Sequence, residues 1–241
     1  MPLVEFREVS YEIGGRQILS EVNFTVEAGE TLVLLGRSGS GKTTALKMTN
    51  GMLFPTSGQV LVEGRPTTEW DPIRLKRRIG YVIQEVGLFP HFTVAENVGL
   101  VPTLEGWPAA DVQQRVERLL DDMGLPPVEY LRRYPRQLSG GQRQRVGVAR
   151  ALAADPALLL FDEPFGALDP VTRVELQRQF LGLRRDLRKT SIFVTHDVRE
   201  ALRLGTRIGL LTRGRLEVAA DPQTFRNART EEALAFLGSL D

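Results

Sequence analysis

The sequence predicts an α/β fold with a mainly parallel sheet, an N-terminal antiparallel β subdomain and an inserted helical subdomain. Three observations indicate this class. Short, entirely apolar runs recur along the chain, helical patterns lie between them, and a glycine-rich turn follows one of the runs. Such runs are typical of parallel strands that are covered on both faces, and strands alternating with helices indicate an α/β sheet.

The elements follow in chain order. Runs that alternate apolar and polar residues predict half-buried strands at 3–9 and 18–26. Fully apolar runs predict buried strands at 31–35, 79–83, 158–161, 192–195 and 208–211. Helical patterns cover 42–50, 109–123, 140–154, 171–187, 198–204 and 231–240. We predict a single domain over 1–241, with the helical subdomain at about 85–155.

The composition argues against several classes of function. The chain of 241 residues carries 31 basic and 30 acidic side chains, without the basic excess of a nucleic-acid-binding protein. It has no cysteine, which excludes disulfides and thiolate metal sites. Its longest apolar runs have about five residues, whereas a membrane-spanning helix needs about 20. We expect a soluble chain without a signal peptide, which binds no nucleic acid and relies on another chain for any membrane part.

The glycine-rich turn predicts a phosphate-binding loop. Residues 36–43 match the pattern G-x-x-x-x-G-K-[ST] between an apolar run and a helical pattern. Glycines let several backbone N–H groups converge on phosphate oxygens, and the helix N-terminus adds positive charge. Lys42 is predicted to reach the β- and γ-phosphates, and Thr43 to bind Mg²⁺. The predicted contact residues are Gly36, Arg37, Ser38, Gly39, Ser40, Gly41, Lys42, Thr43 and Thr44.

Two acidic residues follow the apolar run at 158–161. Because the carboxyl ends of parallel strands face the ligand crevice, Asp162 is predicted to hold Mg²⁺ through its water shell. Glu163 is then available to polarise the attacking water as a general base. An acidic strand end at the surface is the alternative, which the phosphate loop in the same chain disfavours.

A second glycine motif at 138–142 precedes an arginine-rich helical pattern. Ser139 is a favourable N-cap residue. Gly140 and Gly141, followed by Gln142, leave the first helical N–H groups uncovered, so they predict a second anion site. Taken alone, the motif is also compatible with an ordinary helix start.

The phosphate loop, LLLFDEP at 158–164 and LSGGQ at 138–142 together resemble the ATP-binding cassette (ABC) transporter ATPases, which have a P-loop NTPase fold. The resemblance implies ATP and Mg²⁺ as cofactors. It implies that Gln84 joins Mg²⁺ and water to the membrane-facing subdomain, that Asp169 crosses a dimer interface, and that His196 contacts the γ-phosphate. It also implies a head-to-tail homodimer in which each ATP lies between residues 36–44 of one chain and 139–142 of the other.

The adenine contact departs from the family pattern. The family places an aromatic residue where this chain has Ile13. Tyr11 lies two residues earlier, on the same face if the strand is regular. Either Tyr11 takes the stacking role or Ile13 makes an apolar contact.

Residues 79–94 and 97–107 are similar to bacterial importers, and among those to the ATPases of osmoprotectant uptake systems for glycine betaine, choline, carnitine or proline. The similarity implies a peripheral ATPase on the cytoplasmic face of the inner membrane. Its partners would be permease subunits and, indirectly, an extracytoplasmic solute-binding protein. Exposed apolar residues, Leu88, Phe89 and Phe92, are predicted to form the permease socket.

Two other functions remain as alternatives: an ABC exporter ATPase, and a non-transport ABC ATPase of DNA repair or translation. The single cassette without a fused membrane part or a heptad insertion disfavours both. Several osmoprotectant ATPases continue into a C-terminal regulatory module. Because the sequence stops at Asp241, we expect no such module here.

Overall fold

The computed structural model describes residues 1–84, 87–166, 168–187 and 189–240, with the backbone alone for 183–187. The strands are β1 (Val4–Ile13), β2 (Arg16–Val26), β3 (Thr31–Leu35), β4 (Ser57–Val62), β5 (Arg65–Pro66), β6 (Ile79–Val82), β7 (Leu158–Asp162), β8 (Thr190–Thr195), β9 (Arg207–Thr212) and β10 (Arg215–Ala220). The helices are α1 (Lys42–Thr49), α2 (Pro72–Arg78), α3 (Val94–Leu104), α4 (Ala109–Asp122), α5 (Pro127–Tyr130), α6 (Gly140–Leu152), α7 (Pro170–Leu187), α8 (Val198–Leu204), α9 (Pro222–Arg226) and α10 (Glu231–Leu237).

The chain forms two compact units. The first consists of Met1–Lys76 and Lys189–Asp241. In it, β1 pairs antiparallel with β2 and β4, and β4 pairs with β5. A second sheet places β3 between β8 and β9, with parallel pairing on both sides, and β10 antiparallel to β9. All five residues of β3 are buried, as expected for a parallel strand covered on both faces.

The second unit is Arg77–Arg188. Its strands β6 and β7 pair in parallel, with Val82 opposite Phe161. Helices α3, α4 and α6 pack together. On α4, Val116, Leu119 and Leu120 are buried, the spacing of one helical face. The helical stretch predicted for about 85–155 falls in this unit, although residues 85 and 86 lie outside the described part.

The predicted α/β class is confirmed, with its parallel strands, antiparallel N-terminal sheet and intervening helices. Most predicted elements have boundaries within one or two residues of those observed, the usual uncertainty at element ends. β1 is longer than predicted at its C-terminal end, and several short elements were not predicted: β4, β5, β10, α2, α3, α5 and α9. Among the described residues, no helix combines the length and apolar character needed to cross a bilayer.

Candidate functional site

The turn after β3 leads directly into α1. Gly41 is the N-cap, in a left-handed conformation with φ of 104°, and no side chain among the described residues caps the helix. The first turn of α1 has no acidic residue either. The positive end of the helix dipole therefore favours an anion at this loop.

Two glycines of this loop are required by close packing. A Cβ at Gly36 would overlap the Leu211 carbonyl oxygen and lie 2.7 Å from Ser40 Oγ. A Cβ at Gly41 would run into the Leu19 side chain and lie 3.0 Å from the Ile18 carbonyl oxygen. Both glycines therefore let the loop pack closely against β2 and β9.

Lys42 lies inside the loop. Its side chain is buried, with the residue 4% exposed. Its Nζ donates hydrogen bonds to the carbonyl oxygens of Gly36 and Arg37 at 2.7 and 2.8 Å. Ser40 Oγ is buried and has no hydrogen-bond partner among the residues that the structure describes. A buried cation, an unpartnered buried hydroxyl and a helix N-terminus form a donor set that fits a phosphate group.

The remaining loop residues are more open. Arg37, Ser38 and Gly39 are exposed, and Thr43 and Thr44 are half-buried. Arg37 forms an ion pair through its Nε with Glu232 Oε1 of α10 at 2.6 Å. This contact ties the phosphate loop to the C-terminal helix, and the sequence analysis did not predict it.

In the first unit, the pairing of β3 with β8 places His196 at the same edge of the sheet as the phosphate loop. Leu35, the last residue of β3, pairs with Thr195, the last residue of β8. Gly36 and His196 therefore follow the carboxyl ends of adjacent parallel strands, the edge of an α/β sheet at which ligands usually bind. His196 is exposed.

The two candidate adenine contacts lie near the end of β1. Tyr11 is half-buried, whereas Ile13 is 60% exposed. The pairing of β1 with β2 shifts register between Tyr11 and Glu12. Side chains two residues apart share one face only in a regular strand. Because the register shift breaks the alternation of side chains in β1 at this step, Tyr11 and Ile13 do not meet that condition.

In the second unit, β6 and β7 end together. Val82 pairs with Phe161, so Gln84 and the two acidic residues lie at the carboxyl ends of neighbouring strands. Asp162 is buried, Glu163 is half-buried and Gln84 is exposed. Glu163 has a φ of 45°, a left-handed conformation that is uncommon outside glycine and that occurs at functional turns.

A tyrosine that the sequence analysis did not select contacts Asp162. The Tyr81 hydroxyl lies 3.4 Å from Asp162 Oδ2 and donates to it. Burial, and then the negative charge of Asp162, raise the pKa of Tyr81 well above its ordinary value. The hydroxyl therefore stays protonated and remains a donor to the carboxylate.

The LSGGQ motif opens α6 with a capping box. Ser139 Oγ accepts from the Gln142 backbone N–H at 3.2 Å, and Gln142 Oε1 accepts from the Ser139 N–H at 2.9 Å. Ser139 and Gly140 are exposed. A Cβ at Gly141 would overlap the Thr172 side chain at the start of α7. The N-cap prediction is thus met, and Gly141 is needed for packing.

Asp169 lies next to the same contact. Its carboxylate accepts from the Thr172 backbone N–H at 3.0 Å, and hydrogen bonding to Thr172 holds the pKa of Asp169 below its usual range. The chain thereby joins the start of α7 to the start of α6 through Thr172. Ala167, part of the motif that suggested Asp169, lies outside the described residues.

The Asp162 carboxylate of the second unit also fits a magnesium ion, because hard oxygen ligands are those that Mg²⁺ prefers. In the first unit, Thr43 offers a hydroxyl, another hard oxygen donor. In the described ranges, no group of three or more His, Asp or Glu side chains is arranged to hold a metal. A single carboxylate such as that of Asp162 is compatible with Mg²⁺, which protein sites usually hold through one or two carboxylates together with substrate phosphates.

Comparisons with known proteins agree with this architecture. The sequence model of the ABC transporter family matches residues 19–166. A dimeric ATP-binding cassette, MJ0796, solved in a post-hydrolysis state bound to ADP and Pi, is 33% identical, with a TM-score of 0.81 over 91% of this chain and 98% of that one. The likeness therefore covers nearly the whole of that cassette.

Three bacterial relatives are more similar in sequence. The osmoprotectant import ATP-binding protein OsmV of Salmonella typhimurium is 51% identical over 85% of this chain and 53% of its own length. The glycine betaine/carnitine/choline transport ATP-binding protein OpuCA of Bacillus subtilis is 47% identical over 93% of this chain and 59% of its own length. The glycine betaine uptake system ATP-binding protein YehX of Escherichia coli is 46% identical over 92% of this chain and 72% of its own length. The chain thus spans little more than half the length of the first two relatives, and it belongs to the ABC transporter family.

Proposed function

We propose that this chain is the ATP-binding and ATP-hydrolysing subunit of an importer for a small osmoprotectant of the glycine betaine, choline, carnitine or proline type. One observation carries the proposal: 93% of the chain matches, at 47% identity, a relative named for glycine betaine, carnitine and choline transport. The geometry of the phosphate loop supports the nucleotide part, and the names of the relatives support the solute.

The nucleotide is held by the loop at residues 36–44. Lys42, now bonded to two carbonyl oxygens of the loop, turns its ammonium group to the β- and γ-phosphates. The N–H groups at the start of α1 and the buried Ser40 hydroxyl bind the remaining phosphate oxygens. Tyr11 or Ile13 contacts the adenine ring.

Hydrolysis requires a metal and a base. Thr43, Asp162 and Gln84 would hold Mg²⁺ through their side-chain oxygens, and the ion would neutralise charge on the phosphates. Glu163, next in sequence to Asp162, accepts a proton from the attacking water. His196 donates a hydrogen bond to the γ-phosphate, and it follows the strand adjacent to the one that leads into the phosphate loop.

A second copy of the chain completes each site. Ser139, Gly140, Gly141 and Gln142 bind the nucleotide of the partner subunit, because the exposed start of α6 has no acidic residue to compete with a phosphate. Asp169 contributes to the same head-to-tail interface. The dimeric state of the similar cassette supports this arrangement.

The membrane permease docks beside Gln84, on the aromatic cluster formed by Phe89, His91 and Phe92. The ring centroids of Phe89 and Phe92 are 5.2 Å apart, and His91 lies 4.6 Å from Phe92. Phe89 is 41% exposed, whereas Leu88 and Phe92, which the sequence analysis expected to be exposed, are half-buried. An apolar cluster at the surface suits an amphipathic helix of a partner.

The loop carrying this cluster is held in place by Asn97, which is fully buried. Asn97 Oδ1 accepts from the Phe89 N–H at 2.8 Å, and its Nδ2 donates to the carbonyl oxygens of Phe89, Phe92 and Thr93. Arg150 of α6 donates to the Gly87 carbonyl oxygen at 2.7 Å. The docking loop is therefore fastened to α3 and α6, and α6 carries the second nucleotide-binding motif at its start.

A groove of about 670 Å³ continues from Phe92 between α3 and α4. Its lining includes Leu100, Trp107, Val112 and Val116. A helix of the permease that covers the aromatic cluster extends into this groove. The chain then lies on the cytoplasmic face of the inner membrane, with a solute-binding protein acting on the other side and no role for nucleic acid.

The test of the ATPase assignment is Glu163→Gln, which keeps the shape of the side chain and removes the base. We expect ATP to bind as before while turnover falls by about 100-fold or more, the usual contribution of a positioned base. ATP should also hold this variant as a dimer, which size-exclusion chromatography with Mg-ATP detects. Glu117→Gln, the same change at a half-buried glutamate of α4, is the matched control. Wild-type turnover in Glu163→Gln would show that another residue is the base.

A further inference from the structure

The turn that presents His196 is fastened on both sides by one buried network. Thr195, the last residue of β8, donates its hydroxyl proton to Glu200 Oε2 at 2.6 Å. The same hydroxyl oxygen accepts from the Asp197 backbone N–H at 3.0 Å. Both neighbours of the exposed His196 are thus connected to a single hydroxyl group, and through it to α8.

The start of α8 is fixed from the same side. The Asp197 carboxylate caps the helix by accepting from the N–H groups of Arg199 and Glu200. A hydroxyl has one proton to donate and lone pairs to accept with, so Thr195 can serve Glu200 and Asp197 at once. The end of β8, the turn and the first turn of α8 therefore form one hydrogen-bonded unit.

Glu200 is a buried acidic residue, and its burial costs free energy. It is 6% exposed, and Thr195 is 2% exposed. Burial of a carboxylate costs free energy unless hydrogen bonds compensate for the lost water. An apolar residue on the inner face of α8 would avoid that cost. Because the carboxylate lies 2.6 Å from the hydroxyl of the threonine before His196, we expect it to have a specific structural role.

We infer that Thr195 and Glu200 are positioning residues that fix the backbone of His196 and so direct its imidazole at the transferred phosphate. The inference rests on the proposed role of His196 in ATP hydrolysis. Neither residue touches the nucleotide. They act through His196, because a histidine held on a rigid turn reaches the phosphate without first losing the freedom of a mobile loop.

The kinetic test removes the shared hydroxyl while keeping its volume. In Thr195→Val, kcat for ATP should fall about 10-fold to 100-fold, the range expected from a small misplacement of a catalytic group. KM for ATP should stay unchanged, because the phosphate loop still holds the nucleotide. Thr195→Ser keeps the hydroxyl and should restore kcat. Glu200→Leu removes the other partner and should lower kcat in the same way if Thr195→Val does not fold.

The matched control is Thr31→Val, at the opposite end of the same sheet. Thr31 is also fully buried, and its hydroxyl bonds to the Ser191 hydroxyl at 2.9 Å. Thr31→Val therefore deletes an equivalent buried hydrogen bond far from the turn. It should lower the melting temperature without lowering kcat. An equal fall of kcat in Thr31→Val would attribute the effect to general destabilisation and overturn the inference.

A second readout follows His196 directly. The chain has two histidines, His91 and His196, so the ring signals of a ¹³C,¹⁵N-histidine-labelled protein are simple to assign. In the Glu163→Gln background with Mg-ATP, the His196 signal should shift on binding. Thr195→Val should broaden that signal or abolish the shift, and His91 should not change.

Failure of the inference and failure of the proposed function give different results. His196→Ala with wild-type turnover would refute the role of His196 itself. An inactive His196→Ala, combined with wild-type kcat and an unchanged His196 signal in Thr195→Val or Glu200→Leu, would refute only the positioning role.

Discussion

At Tyr81, a single hydroxyl connects β6 to the carboxylate proposed to bind Mg²⁺ on β7. It donates to Asp162 Oδ2 and stays protonated, because its pKa is raised. Donors of this kind orient a metal-binding carboxylate, and their loss typically weakens metal binding about 10-fold to 100-fold. The carboxylate of Asp162 is thus held in one orientation before a metal arrives.

Tyr81→Phe should raise the Mg²⁺ concentration needed for half-maximal effect by about 10-fold. The readout is the rise in melting temperature with ATP as Mg²⁺ is titrated, so the result does not depend on turnover. Tyr134→Phe removes a hydroxyl from a more exposed tyrosine of the same unit and is the control. An unchanged Mg²⁺ titration in Tyr81→Phe would show that Asp162 is oriented without it.

Single residues differ in how far the sequence reveals them. Lys42 and Asp162 follow apolar runs in recognisable motifs, so their places at strand ends were predictable. Tyr81 was not, because its role depends on β6 pairing beside β7, with Tyr81 opposite Leu160. Glu200 escaped notice for a related reason: a glutamate on a helix is ordinarily solvated, and only the packing of α8 buries it.

The start of helix α6 is also a proposed nucleotide-binding site. Ser139 is both its N-cap and the first residue of the anion site. If that site serves the partner's nucleotide, two variants with different defects can complement each other. Lys42→Ala removes the phosphate-loop cation, and Ser139→Arg blocks the start of α6.

Mixing Lys42→Ala with Ser139→Arg should restore ATPase activity, although each variant alone is inactive. In the mixed dimer one site combines an intact loop with an intact α6 start, whereas the other site carries both defects. The measurement is phosphate release at high protein concentration. Asp221→Arg, which removes the N-cap of α9, tests whether loss of a cap alone abolishes activity. If the mixture is as inactive as each variant alone, the hypothesis that the two chains share sites which act independently is contradicted.

Elements differ in predictability as residues do. The buried strands were evident as short apolar runs, and α4, α6 and α7 were evident from their helical periodicity. β4 begins with Ser57 and Gly58, and Gly58 has a φ of +77°, where an added Cβ would overlap the carbonyl oxygens of Arg7 and Glu8. β10 is an edge strand with alternating exposure, so it lacks the apolar run of the central strands. Their strand character comes from pairing with β1 and β9, which local sequence does not encode.

For the molecule as a whole, transport requires that ATP hydrolysis act on another chain. The aromatic cluster of Phe89, His91 and Phe92 is the surface proposed for that contact. Phe89→Asp should leave ATP hydrolysis by the isolated chain near normal and abolish solute uptake, because a charge cannot be buried against an apolar helix without a partner. Val128→Asp places the same charge at an apolar residue that is 99% exposed, and uptake should persist.

The assay measures radiolabelled glycine betaine in cells that lack their own uptake systems and grow at high salt. Normal uptake with Phe89→Asp would rule out this docking surface. A complete transporter that moves none of glycine betaine, choline, carnitine or proline would contradict the solute class, and the ATPase assignment would be unaffected by that result.

The ion pair between Arg37 and Glu232 gives the phosphate loop a mechanical connection to α10. We expect a change in the conformation of the loop on nucleotide binding to reach α10 through this ion pair. The chain has no cysteine. A single cysteine introduced at the exposed Leu234 of α10 would therefore accept one fluorescent dye, and that dye would report nucleotide binding in real time from a position remote in sequence from the loop.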